Sequence, residues 1–383
     1  MANTYLDVST IAAEALPLLA DQMAMLPLVH RGFDNEFGSP KQKGDTIQIE
    51  KPQNFTTVDG SVDISGSYQD ITETAVNLQL NVQRSVAIEI TAKDLTLSVP
   101  DFTRKFTAGA VVALGEYVNQ DILGLYTDIP YWYGVSGTTP DALEDIALAR
   151  KVLQDNKCPS NLRSLVMDNS AEAEFLTLDA LVKVNEAGTN RALREAAIGQ
   201  VYKIGMYSDG QVKTHTAGGY AALTDLTSDG IQTIGATTFN VASTAGASTA
   251  SVVVGDIFTI ETGAAAGQYV CTAAATAVAG DIALTIYPAL RGATATIDTV
   301  AFADETAGAH VANLMFQKNA FALGMAPLAA PVGGANGSVM TANGMSISVT
   351  LDFDITTYKN IMRFDILYGV KTLYPELACR LLG

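Results

Sequence analysis

Alternation of apolar and polar residues marks the first predicted strands of the chain. A short run that begins at Ile47 ends at Pro52, and a longer run extends from Val76 to Ile90 with an interruption at Arg84. Because successive side chains of a strand point to opposite faces, this period of two is typical of strands with one wet face. We therefore predict a short strand, a connecting loop and one long strand in this region.

The connecting loop, residues 53–75, is rich in Gly, Ser, Thr and Asp and carries only isolated apolar residues. Such a segment cannot close a core of its own, so it is predicted to protrude as an extended hairpin. We expect it to pack on a neighbouring subunit. The candidate intersubunit contacts are its large apolar residues, Phe55, Val58, Val62, Ile64 and Tyr68.

A helical period follows and predicts a long helix over residues 98–126. Ser98 and Asp101 have the spacing of a capping box, and Pro100 is tolerated in a first turn. Apolar residues recur on one predicted face of this helix. These residues are Phe102, Phe106, Ala110, Ala113, Leu114, Tyr117, Val118, Ile122 and Leu125.

Two further helices and a strand are predicted between residues 139 and 181. Thr139-Pro140 is a helix start signal, and Cys158-Pro159 is an end signal. The stretch RSLVMDNS predicts a strand, and a third helical pattern runs from Ala171 to about Leu181.

The composition changes sharply from about residue 220 to residue 306. This segment is dominated by Ala, Thr, Gly, Val and Ser, with Arg291 as its one basic residue. Short alternating runs separated by Gly-Asp turns are typical of a small all-β domain, here inserted into a host domain. Two alternating strands are predicted after it, at Met345–Ile355 and Met362–Val370.

Charge and composition limit the possible functions. The chain has 383 residues, is 48% hydrophobic and 16% charged, and carries a net charge of −17. Affinity for nucleic acid depends on clustered Lys and Arg, and 23 basic residues against 40 acidic ones leave no basic stripe. The surplus of apolar residues indicates additional burial between subunits.

The cysteines and the N-terminal segment indicate a reducing compartment. Cys158, Cys271 and Cys379 are odd in number and widely spaced, which fits neither a disulfide framework nor a metal site. Glu14 and Asp21 interrupt the first apolar stretch, so we interpret it as an amphipathic arm and not as a signal peptide.

No motif points to an enzyme. His30, His215 and His310 are scattered and lack metal-ligand spacing, and the sequence contains no nucleophile elbow, phosphate loop or dinucleotide fingerprint. Tyr131, Trp132 and Tyr133 could form a stacking platform for bases or sugars, but no basic residue lies among them. We therefore interpret them as an aromatic anchor, and we predict neither catalytic residues nor a cofactor or metal.

Four stretches, in their order along the chain, resemble the major capsid (coat) proteins of tailed bacteriophages, in the branch with an inserted β-barrel domain. They are KGDTIQIEKP, VAIEITAKDLTLSVPDFTRKFTAGAVVALGEYVNQDIL, LREAAIGQVYKIGMYSDGQVKTHTAG and NLMFQKNAFALGMAPL. The resemblance implies the α+β capsid fold shared by tailed phages and herpesviruses. The implied parts are an N-terminal arm (1–35), an extended loop with flanking strands (36–97), a spine helix and peripheral domain (98–138), an axial domain (139–219), the inserted β domain (220–306), a return to the axial domain (307–340) and C-terminal peripheral strands (341–383).

The resemblance also implies a function and partners. The chain would self-assemble as hexamers and pentamers into an icosahedral procapsid, with a scaffolding protein and a portal, and would enclose double-stranded DNA without sequence-specific binding. It would be assembled in the host cytoplasm, reside in the virion and contact no membrane. The alternatives are an encapsulin-like nanocompartment shell, which its neighbouring genes would reveal, and a surface-layer or other structural protein.

The most apolar segment, residues 310–328, obtains its interpretation from this resemblance. Lys318 at its centre excludes a membrane span. In the capsid fold it would be a core strand, or a strand and helix, that returns from the insertion. Phe316, Phe321 and Leu323 would then be buried, with Lys318 at an edge.

Overall fold

The computed structural model describes most of the chain. The described residues are 25–31, 46–51, 55, 57–59, 68–69, 74–91, 102–183, 191–196, 198–220, 225–243, 250–278, 280–295, 297–304, 308–329, 336–342, 345–356 and 359–383. Most of the predicted N-terminal arm and the predicted capping residues Ser98 and Asp101 lie outside them.

The described elements are numbered in chain order. The helices are α1 (Phe102–Leu123), α2 (Leu143–Asp155), α3 (Asn169–Thr177), α4 (Asp179–Val182) and α5 (Arg191–Glu195), with 3-10 turns at Gly124–Asp128, Lys318–Ala320 and Pro375–Leu377. The strands are β1 (Thr46–Lys51), β2 (Thr74–Gln79), β3 (Val82–Thr91), β4 (Trp132–Tyr133), β5 (Arg163–Met167), β6 (Gln200–Val201), β7 (Ile204–Ser208), β8 (Thr214–Thr216), β9 (Thr227–Ser228), β10 (Thr238–Ala242), β11 (Ser251–Val252), β12 (Ile257–Ile260), β13 (Gly267–Cys271), β14 (Ala275–Thr276), β15 (Ile282–Tyr287), β16 (Val300–Phe302), β17 (Ala309–Gln317), β18 (Phe321–Ala326), β19 (Asn336–Ala342), β20 (Met345–Asp354), β21 (Lys359–Thr372) and β22 (Ala378–Leu382).

The chain divides into two compact units. The first comprises Met1–Gln22, Arg31–Gly115 and Ala322–Leu373, and the second comprises Met23–His30, Glu116–Phe321 and Tyr374–Gly383. In the first unit, β1 and β2 form the predicted antiparallel hairpin, with Ile47 opposite Leu78.

The main sheet of the first unit has the order β18-β21-β20-β19, and β3 also pairs with β21. Val349, Phe364 and Val86 lie side by side across three strands, and Val349 and Phe364 are fully buried. Position 369 of β21 requires glycine, because a Cβ there would lie 2.0 Å from the carbonyl oxygen of Gln79. The two predicted C-terminal strands are thus confirmed. The prediction of one long strand from Val76 to Ile90 is wrong, because the chain is divided at Leu80 into β2 and β3, which pair with different strands.

Helix α1 confirms the predicted long helix but corrects its buried face. Ala110, Leu114, Val118 and Ile122 are buried as predicted. Ala113, however, is exposed, whereas Val111 is buried. Both positions are apolar, so the periodicity of the sequence alone does not fix the rotation of the helix about its axis.

The host part of the second unit is built on a mixed sheet with the order β4-β22-β17-β5-β7-β6, and β8 pairs with one end of β17. Helix α2 covers this sheet. Its Ile146, Ala149 and Leu153 pack in one core with Leu165 of β5 and Met315 of β17. The predicted third helix is divided into α3 and α4 at Leu178, whose backbone is extended.

The inserted segment forms a separate antiparallel sheet with the order β16-β12-β13-β15-β10-β9. Its own core contains Phe239, Phe258, Tyr269 and Phe302, with ring centroids 5.5–5.7 Å from that of Phe258. The predicted alternating strands are present. Period-two patterning places these residues on one side of the sheet, and the intervening polar residues face outward.

The apolar segment at residues 310–328 contains two core strands joined by a turn, where the sequence predicted a core strand, or a strand and helix. β17 and β18 are joined by the 3-10 turn Lys318–Ala320. Phe316, Phe321 and Leu323 are fully buried, while Lys318 in the turn is half-buried. None of the described helices combines the length and apolar character that a membrane crossing requires.

We expect Leu114→Ala to lower the free energy of unfolding by about 2–5 kcal/mol, because Leu114 is 2% exposed and its removal leaves a cavity. Gly109→Ala in the same helix is the matched comparison. A Cβ at Gly109 would meet no described atom within 4 Å, so this change should stabilise α1 by about 1 kcal/mol. Urea denaturation followed by circular dichroism measures both. Equal effects of the two changes would contradict the described burial.

Autonomous folding of residues 220–306 stays a prediction, and the separate core of the inserted sheet supports it. Expressed alone, this segment should give a strand-type circular dichroism spectrum and a cooperative thermal transition. A spectrum of an unfolded chain would show that the inserted sheet needs the host sheet in order to form.

Candidate functional site

The predicted contact loop exposes large apolar side chains. Phe55, Val58 and Tyr68 are 58%, 49% and 79% exposed, and they lie between the end of β1 and the start of β2. Val62 and Ile64 are outside the described residues. Exposed aromatic rings of this size are a favourable source of binding energy when a partner covers them. Their contact with a neighbouring subunit stays a prediction.

A second feature lies at the root of the inserted sheet, where the chain leaves the host through β8 and returns through β17. These strands pair antiparallel, with His215 directly opposite His310. The two imidazole centroids are 5.2 Å apart. We call Tyr126, His215, Asp256, Asp304, His310 and Arg380 the junction cluster.

His215 connects β8 to the inserted sheet through Asp256. Its Nε2 is 2.8 Å from Asp256 Oδ1, and its Nδ1 is 3.1 Å from the hydroxyl of Tyr126. A carboxylate only accepts, so Nε2 carries the proton, and the neutral ring accepts from Tyr126 at Nδ1. Asp256 is fully buried and also accepts from the backbone N–H groups of Val253 and Gly218.

His310 makes the corresponding contact at the other end of the insertion. Its Nδ1 lies 2.8 Å from both carboxylate oxygens of Asp304. Ser136 donates a short hydrogen bond to the same carboxylate. Burial by itself would raise the pKa of Asp304, but the hydrogen bond and charge of His310 and the Ser136 hydroxyl outweigh burial and lower it.

Arg380 of β22 supplies the positive charge of the cluster. It is fully buried, donates from Nη1 to the carbonyl oxygen of Gly255 at 2.8 Å, and lies over the ring of Tyr126 at 5.1 Å from the centroid. Burial lowers its pKa to about 10, although Tyr126, Asp304 and Asp256 favour its charged form. Among the described residues, Nε and Nη2 have no hydrogen-bond partner.

Gly255 is required for this arrangement by its conformation and its surroundings. Its φ is +96°, and a Cβ would lie 3.0 Å from Thr127 and 3.2 Å from the ring of His215. Glycine therefore permits the inserted sheet to approach the junction cluster closely enough for the Arg380 hydrogen bond.

The junction cluster has the composition of a metal site but not its free ligand atoms. His215, Asp256 and Asp304 can place one ligand atom each within 4.8 Å of the others. These groups, however, already have N–H or O–H partners, and Arg380 is an additional positive charge that opposes a cation. The arrangement therefore favours a hydrogen-bonded network over a metal site.

The structure adds two contacts that the sequence did not predict. His215 and His310 are scattered in the sequence, yet they meet because they flank the insertion at its two ends. No basic residue interleaves the aromatic stretch, yet Arg291 of the inserted sheet donates from Nη2 to the Tyr131 hydroxyl at 2.9 Å. The sequence signal that could have predicted the contact of His215 with His310 is their position, just before and just after the segment of changed composition.

Comparison with known proteins identifies the fold class and the family that the chain resembles. The chain has the tailed-phage capsid fold: it is similar to a solved structure from Mycobacterium phage Che8, with a TM-score of 0.52 and 12% identity, over 94% of this chain and 90% of that chain. Residues 257–383 match the family described as P22 coat protein, gene protein 5. The predicted fold class and the predicted resemblance to phage coat proteins are thus confirmed.

The chain is also similar to a second solved structure. The head structure of Helicobacter pylori bacteriophage KHP40 has a TM-score of 0.49 and 10% identity, over 94% of this chain and 91% of that chain. No curated protein sequence matches the chain.

We expect Arg380→Met to lower the free energy of unfolding by about 3–5 kcal/mol, because it leaves two buried carboxylates without their compensating charge. Arg291→Met is the matched control. Arg291 is exposed, so losing its contact with Tyr131 should cost about 1 kcal/mol or less. Urea denaturation of the full-length variants measures both, and a loss at Arg380 no larger than that at Arg291 would contradict the role assigned to the junction cluster.

Proposed function

We propose that the chain is the major capsid protein of a tailed bacteriophage and assembles into the icosahedral shell that encloses the genome. The observation that carries this proposal is the capsid fold over 94% of the chain, combined with the coat-protein match over residues 257–383. Both findings favour a structural role over a catalytic one.

The assignment of parts follows from this proposal. Residues 36–97 would be the extended loop, 98–138 the spine helix and peripheral domain, 139–219 with 307–340 the axial domain, and 341–383 the closing peripheral strands. The separate sheet and core of β9–β16 support an inserted domain at 220–306. The loop that carries Phe55, Val58 and Tyr68 would cover a neighbouring subunit.

The proposed assembly consists of hexamers and pentamers, built with a scaffolding protein and a portal in the host cytoplasm. The net charge of −17 supports a container that holds double-stranded DNA without binding it tightly. The encapsulin-like alternative receives less support, because the matched family is a phage coat protein.

Assembly can be tested by expressing the chain alone and together with the products of its adjacent genes, followed by negative-stain electron microscopy. We expect closed shells of uniform diameter. A chain that remains monomeric under both conditions would contradict the proposed function.

The contact loop can be tested with the double variant Phe55→Ser with Tyr68→Ser. Covering one aromatic ring contributes about 1.5–3 kcal/mol, so the double change should raise the protein concentration needed for assembly at least about tenfold. Phe55→Tyr with Tyr68→Phe keeps both rings and serves as the matched control. The serine variant should retain the circular dichroism spectrum of the parent, and its normal assembly would exclude these residues as contacts.

A further inference from the structure

The two histidines of the junction cluster differ in their hydrogen-bond partners. His310 donates from Nδ1 to Asp304, and its Nε2 is buried with no hydrogen-bond partner in the described part of the chain. A second proton on this ring would create a buried N–H without an acceptor, together with a buried positive charge. Each of these is unfavourable in a site that water does not reach.

His215 differs from His310 because both of its ring nitrogens have partners. Its Nε2 donates to Asp256, and its Nδ1 faces the hydroxyl of Tyr126. Its ring centroid lies 5.2 Å from that of His310, and Arg380 lies over the ring of Tyr126. A proton added to His310 would therefore lie close to the positive charge of Arg380.

Charged groups reach the junction cluster from every surrounding element. The turn after α1 contributes Tyr126 and Asp128, the inserted sheet contributes Asp256 and Asp304, β22 contributes Arg380, and β8 and β17 contribute the histidines. Cys271 and Tyr220 also lie near Asp256 but are neutral, since burial raises the pKa of each. While the histidines are neutral, the single positive charge of Arg380 is outnumbered by the three carboxylates of Asp128, Asp256 and Asp304.

These groups connect two separate sheets of the second unit. Both carboxylates belong to the inserted segment, and both histidines belong to the host strands that bound it. We infer that the junction cluster is a proton-operated latch: it holds the root of the inserted sheet on the host sheet while His310 is neutral, and mild acid releases it. This inference does not depend on the function of the shell.

Linkage gives the direction and the pH range of release. Burial lowers the pKa of His310; the hydrogen bond and charge of Asp304 oppose this shift, and the charges of Arg380 and His215 add to it. Because the closed form resists a proton that the open form accepts at a pKa near 6.5, the closed form is favoured above that pH and loses its advantage as the pH falls. The pKa of Asp304 is lowered below 3.8, so its carboxylate stays ionised above that pH. Release between pH 6.5 and pH 3.8 is therefore caused by protonation of histidine.

Trp132 provides a local signal for release because it is the only tryptophan in the chain. Its backbone is held on both sides by one side chain of the inserted sheet: Gln268 Oε1 accepts from Trp132 N–H at 3.2 Å, and Gln268 Nε2 donates to the Trp132 carbonyl at 2.8 Å. The indole packs beside Ile257 and Val270 of the inserted sheet. Separation of the two sheets would expose it to water.

The experiment is a titration of the full-length protein from pH 8 to pH 4.5, with Trp132 emission and far-ultraviolet circular dichroism recorded together. We expect the emission to shift to longer wavelength below pH 6.5 while the circular dichroism signal is retained. An emission change that coincides with loss of the circular dichroism signal, or no change at all, would overturn the latch.

His310→Asn is the decisive variant, because its amide nitrogen can still donate to Asp304 but cannot take up a proton. Its transition should move by about one pH unit or more to lower pH. His30→Asn is the control: burial and the charge of Lys318 lower the pKa of His30, which lies outside the junction cluster, so the emission midpoint should not move. An unchanged midpoint in His310→Asn would overturn the proposal.

Two measurements on the native protein keep the proposal testable if the variant does not fold. Carbon-labelled histidine nuclear magnetic resonance should show a ring, distinct from that of His30, that titrates below 6.5 and follows the Trp132 transition. If the ring of His30 alone titrates below 6.5, the proposal is overturned. Addition of Zn²⁺ should leave the transition unchanged, and abolition of the transition by stoichiometric Zn²⁺ would instead establish a cation site.

Discussion

Burial of charge at the root of the inserted sheet is the constraint on which the second unit depends. Two carboxylates and a guanidinium lie where the inserted sheet meets the host sheet, and the host strands can pair there only if these charges are satisfied. The histidines, the hydroxyls of Tyr126 and Ser136, and backbone N–H groups supply the partners. Such a network adds little net stability, but it penalises every other register of the two strands.

The exposed contact loop and the buried junction cluster show opposite uses of side chains. Phe55 and Tyr68 leave apolar surface in water, which is unfavourable for an isolated chain and favourable when many copies associate. The junction cluster places polar groups in the interior, which is unfavourable unless they are paired, and Arg380 Nε and Nη2 and His310 Nε2 have no partner among the described residues. The exposed apolar side chains fit the proposed shell subunit, in which neighbouring copies would cover them.

The low identity to the Mycobacterium phage Che8 structure of the same fold has a physical explanation. At 12% identity few side chains are shared, yet the fold extends over 94% of the chain. Alternation in β3, β20 and β21 and the apolar face of α1 are preserved by many different residues of suitable size. The fold therefore depends on the order of these patterns more than on particular side chains.

The sequence by itself determined the order of the predicted strands and helices and the inserted β segment, because these follow from local periodicity. The burial of Phe316, Phe321 and Leu323 was predicted from the capsid resemblance, and the turn that contains Lys318 was not predicted. The rotation of α1, which buries Val111 and exposes Ala113, was decided by tertiary packing, since both residues are equally apolar. The meeting of His215 with His310, and of Arg291 with Tyr131, likewise required the folded chain. These pairs are separated by many residues, and only the pairing of β8 with β17 and the docking of the inserted sheet bring them into contact.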